Sequence, residues 1–120
     1  MSKESQTLIG VVRYFVEQWR KSEGWSEESL AAELVKTHAL MDGPRSTGIR
    51  FEPATRDAFI RSRVNCERIY RWLDDESKCV NLMPANFLPV VLTAMPAAMR
   101  LQCVNALLKP LGLEAAESQP

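Results

Sequence analysis

Apolar residues return every three or four positions along this chain, and no segment alternates with a period of two for long enough to demand a strand. Leu8, Val11, Val12, Phe15 and Trp19 mark one helical face between Gln6 and Lys21, with Arg13, Glu17 and Arg20 elsewhere around the cylinder. Glu23-Gly24 ends that helix. Ser26 then offers a hydroxyl to an unpaired backbone amide two or three residues on, and Trp25 and Leu30 can staple across the cap. A second helix is therefore expected from about Glu27 to Thr37, burying Leu30, Ala31, Leu34 and Val35.

The breakers Asp42-Gly43-Pro44 and Thr47-Gly48 make 38–53 read as a long loop. Thr55 suits the cap of a short helix carrying Arg56, Asp57, Phe59 and Ile60, with Phe59, like Phe15 and the tryptophans, expected in the core. Asn65 suits the cap of another, with Val64 and Ile69 as its staple and Ile69, Trp72 and Leu73 facing inward. Pro89 is tolerable near a helix start, and Pro96 fits the first position of a last helix through Met99, Cys103, Val104, Leu107 and Leu108. Pro110 and Gly112 stop it. The expected fold is all-α, five or six packed helices. A frayed terminus (1–5), one helical domain (6–109) and a flexible tail (110–120) divide the chain.

A total of 120 residues, 46% apolar and 25% charged, suits one soluble domain with a real core. No basic leader followed by an apolar stretch begins it, and Val80 to Met95 is broken by two prolines and two asparagines. A cytoplasmic protein is expected, with no membrane span. The three cysteines are scattered and lack metal-ligand spacing, so no metal, disulfide or cofactor is expected. His38 stands alone and 43–48 lacks the Gly-Lys-Ser/Thr of a phosphate loop, so no enzyme is expected.

Charge is neutral overall and unevenly placed. Seven arginines, no lysine and three acids lie between Pro44 and Arg71. Guanidinium groups match phosphate and the guanine edge, so this surplus suits a DNA-facing surface. Taken alone it fits a solvated face equally well.

The segment Val64-Asn65-Cys66-Glu67-Arg68-Ile69-Tyr70-Arg71-Trp72-Leu73 tips that balance. It resembles the recognition helix of lambda-repressor-like helix-turn-helix domains, and Ser26 to Ala31 resembles the start of the preceding helix. The helix from Asn65, the insertion before it, and the pairs Leu88-Pro89 and Met95-Pro96 are similar to the YdaT family of prophage-encoded proteins, grouped as toxins, from about Leu8 to Val104. That resemblance implies a transcription regulator of the phage CII class, located on the bacterial nucleoid. It implies a POU-like helical domain with a long loop inside the motif, binding an inverted-repeat operator in double-stranded DNA as a homo-oligomer. Asn65, Cys66, Glu67 and Arg68 are then the base-contact candidates, with the Cys66 side chain exposed on the same turn. Ser26, Arg61, Ser62, Arg63 and Arg71 are the candidates for the DNA backbone. A toxin or protein-interaction module without DNA binding is the alternative, with Phe87, Val91, Met95 and Met99 expected as its exposed patch.

Overall fold

In the computed structural model, which describes residues 7–52, 57–77 and 81–118, two long helices come first. These are α1 (Leu8–Glu23) and α2 (Glu27–Leu40). Thr7 caps α1 by accepting from Gly10 N, and Gly24, in the left-handed region at φ 72°, closes it by donating to the Arg20 and Lys21 carbonyls. Ser26 caps α2 as expected, its Oγ accepting from Ser29 N at 3.1 Å. The face α1 buries is Ile9, Val12, Val16 and Trp19, whereas Leu8 is 54% exposed. Both stripes have helical spacing, and packing against the rest of the molecule chose between them.

Four further α-helices follow among the described residues: α3 (Gly43–Thr47), α4 (Ala58–Trp72), α5 (Leu88–Ala94) and α6 (Ala97–Leu108). No strand occurs among the described residues. α2 packs on α4 and α5, and α1 lies against α6. Pro89 stands in the first turn of α5 and Pro96 caps α6, within one residue of the expected place. The last helix ends in a turn at Lys109–Leu111, with Gly112 at φ 73°. Beyond it the chain turns back along α6, where Ala115 N donates to Asn105 Oδ1.

Two expectations are overturned. The segment 38–53 is not one loop, because α2 continues to Leu40 and α3 forms within it. The helix expected at Asn65 starts at Ala58, capped by Asp57, whose Oδ1 accepts from Phe59 N and Ile60 N at 3.0 and 3.2 Å. Nothing between Ala58 and Trp72 breaks a helix, and an interior asparagine costs only about 0.7 kcal/mol relative to alanine. The Thr55 cap lies outside the described residues.

Two polar knots lock this frame. Glu17 receives Arg20 at 2.7 Å and the Tyr70 hydroxyl at 2.9 Å, while Arg20 Nη1 donates to Trp25 O at 3.0 Å. Burial pushes the Glu17 carboxyl up, but the hydrogen bonds from Arg20 and Tyr70 outweigh it and hold it below its ordinary range. Thus α1, the first turn and α4 share one charged hydrogen-bond network. At the far end of α4, Thr7 bonds Asp75, and Arg13 reaches Glu76 at 3.5 Å.

The second knot is buried. Thr47 Oγ1 donates its single proton to Gly43 O at 2.8 Å and accepts from Ile49 N at 3.0 Å. His38 Nε2, at 2.7 Å from the same oxygen, must therefore be the donor to it. The imidazole lies flush on Gly43, so a Cβ there would overlap the ring. Gly43→Ala is expected to lower stability by about 1–3 kcal/mol through overpacking. An unchanged denaturation midpoint would show that the ring can move aside.

Burial, and then the positive charge of Arg68, hold the His38 imidazole below its ordinary 6.5. The unfolded chain therefore binds a proton at a pH where the folded chain does not, so stability rises with pH in that window. The contribution is complete above 6.5 and is lost as pH falls from there to the lower folded value. Urea midpoints are expected to drop as pH falls below 6.5 in the wild type, and less steeply in His38→Asn. Parallel profiles for the two proteins would remove His38 as the cause.

Candidate nucleic-acid interface

Helix α4 carries most of the candidate side chains, and its orientation decides what each can do. Ile69 and Trp72 point into the core, with Leu73 just beyond the helix, at 1%, 8% and 1% exposure. Phe59, Arg63, Glu67 and Arg71 follow at four-residue steps down the opposite side, all exposed. The Arg63 guanidinium lies 5.7 Å from the Phe59 ring centroid. Neither Arg63 nor Arg71 takes part in an ion pair among the described residues.

The expected base-reading turn is not an exposed first turn. Asn65 and Cys66 lie at the middle of α4 and are buried, at 5% and 8% exposure. Asn65 Oδ1 already accepts from Glu52 N at 3.0 Å. Cys66 is not on the solvent side, because the helix begins seven residues earlier than expected and its first turn is Ala58 to Arg61. Burial, with Glu27, Glu28 and Glu67 nearby, pushes its thiol up to about 11, so it is an inert packed group at neutral pH. Arg68 stacks over Phe51 and Trp72, 5.3 and 5.1 Å from the ring centroids, and donates to Arg50 O at 2.5 Å. Of the four base-contact candidates, Glu67 alone stands exposed.

The backbone-contact candidates divide likewise. Arg63 and Arg71 are exposed, and Arg61 and Ser62 are half-buried. Those two line an open cleft of about 450 Å³ between α2 and α4, together with Lys36 and Asn65. Ser26 is exposed at the start of α2, but Glu27 and Glu28 follow it immediately. Two carboxylates there suit the helix dipole and oppose an anion.

The patch expected for protein binding is absent. Phe87, Val91 and Met95 are at most 1% exposed and Met99 is half-buried. Exposed apolar side chains lie elsewhere: Leu40, Phe59, Leu111 and Leu113 are each more than half accessible. Phe59 was expected in the core, and its register with Arg63, Glu67 and Arg71 is the sequence signal that places it on the outer face. No described helix is long and apolar enough to cross a membrane.

No curated protein and no solved structure matches the chain. A protein-family profile described as bacterial toxin YdaT matches residues 11–117, from the second turn of α1 to the segment folded back on α6. With nearly the whole chain inside that match, the protein belongs to the YdaT family.

Proposed function

We propose that this protein is a sequence-specific regulator of prophage type that binds duplex DNA through the outer face of α4. The observation that carries the reading is the line Phe59-Arg63-Glu67-Arg71, with two exposed arginines in no ion pair among the described residues. Eight residues of helix separate Arg63 from Arg71, about 12 Å at the rise of an α-helix. The major groove is about 12 Å wide, so the two guanidinium groups can reach phosphates along its two edges. Glu67, between them, is then the base reader, accepting from cytosine N4. In this reading α2 and α4 are the paired helices of a helix-turn-helix domain, with α3 and its flanking loops in place of the tight turn. Identical subunits on an inverted repeat complete the site.

Titration of duplex DNA from the protein's own locus, at about 50 to 200 mM salt, tests this. Salt-sensitive binding is expected. Its absence sinks the reading.

A second reading, a toxin acting by contact with another protein, is favoured by the family's description and by the exposed Leu40, Leu111 and Leu113. Growth arrest on expression that persists in a variant unable to bind DNA supports it.

A further inference from the structure

We propose that residues 49–52 form a strap clamped to α4 which presents Arg50 to a nucleic-acid phosphate, with Asn65 and Arg68 as positioning residues rather than base readers. The inference rests on the DNA-binding reading and adds a second contact element to it.

Three successive backbone groups fix the strap. Ile49 N donates to Thr47 Oγ1, Arg50 O accepts from Arg68 Nη1, and Glu52 N donates to Asn65 Oδ1. Ile49 is buried and Phe51 packs on the core, whereas Arg50 between them is exposed. That alternation is the one extended chain produces. Asn65 and Arg68 are one turn apart on α4, so a single helix face grips the segment at Arg50 and at Glu52, while Thr47 holds its Ile49 end. The position of Arg50 relative to α4 is therefore set by the fold, while its side chain is exposed and in no ion pair among the described residues.

Arg68 suits clamping better than reading. Its planar face lies over Phe51 and Trp72 and one edge is committed to a carbonyl, so the fork that guanine needs is not presented. Its charge is paired with no carboxylate among the described ion pairs. Arg50 thus stands beside the carbonyl that Arg68 holds, and Arg71 follows Arg68 by three residues on α4. A phosphodiester oxygen of a bound polyanion can take a charge-assisted hydrogen bond from the exposed Arg50.

The test combines amide exchange with a double-mutant cycle on DNA affinity. In the free protein, the Glu52 amide is expected to lose protection in Asn65→Ala and in Arg68→Ala, and Arg68→Lys is not expected to restore it, since lysine cannot stack. Arg50→Ala should weaken DNA binding roughly three- to tenfold and lower the salt slope by about 1. Arg68→Ala should weaken it comparably without changing base preference, and Arg50→Ala should cost little further in that background. Additive losses, or an altered preference at one base position in Arg68→Ala, overturn the proposal. Wild-type binding that Arg50→Ala leaves untouched also overturns it while sparing the DNA reading, whereas a wild type that binds no DNA defeats both.

Discussion

Phe87→Ala is expected to cost about 3–5 kcal/mol of folding stability. Phe87 is fully buried, and its ring centroid lies 5.9, 5.7 and 5.2 Å from those of His38, Phe51 and Trp72. The ring therefore joins α2, the strap and α4 to the turn that precedes α5. Removing it deletes transfer free energy, opens a cavity among rigid aromatics, and forfeits edge-to-face contacts worth about 0.5–1.5 kcal/mol per pair. Domains of this size are stable by only about 5–15 kcal/mol, so about a fifth or more of the total is at stake. The check is a urea or thermal unfolding curve: the midpoint should fall steeply with an unchanged m-value. A loss below about 1 kcal/mol would mean that the three remaining rings can collapse to fill the space.

The second large effect is on binding. Reversing both exposed charges, in Arg63→Glu with Arg71→Glu, is expected to weaken DNA binding about 100-fold or more at low salt and to lower the salt slope by about 2. Both side chains stand in solvent, and the Arg63–Phe59 contact is worth only about 0.5–1 kcal/mol at an exposed site, so the fold should survive. An unchanged helical circular-dichroism spectrum and a nearly unchanged unfolding midpoint provide that control. The difference between variant and wild type should shrink as salt rises, because screening acts on exposed charges. A change of less than about threefold at low salt removes α4's outer face as the DNA surface.

The two predictions probe opposite sides of one helix. The buried side of α4 is legible in the sequence, because Ile69 and Trp72 are large, apolar and spaced for one face. The outer side was harder to place. Asn65 is a good helix cap by composition, yet Asp57 caps the helix, and moving the start to Ala58 changes which residues form the first exposed turn. Asn65 and Cys66 thereby went from candidate base readers to buried groups, while Phe59 went from core to surface.

What the sequence determined by itself is local. Helical periodicity, the Ser26 cap, the stop at Gly24 and the placement of Pro89 and Pro96 at helix starts follow from interactions between residues no more than about four apart, which are written side by side in the chain. The tertiary structure decided everything that depends on distant partners. Asn65 meets Glu52 across thirteen positions, Arg68 meets Arg50 across eighteen, and Tyr70 meets Glu17 across fifty-three. Each of these polar groups could have faced solvent or DNA on local grounds. A partner brought close by chain folding satisfied them instead, because a buried polar atom left without one costs about 1–3 kcal/mol.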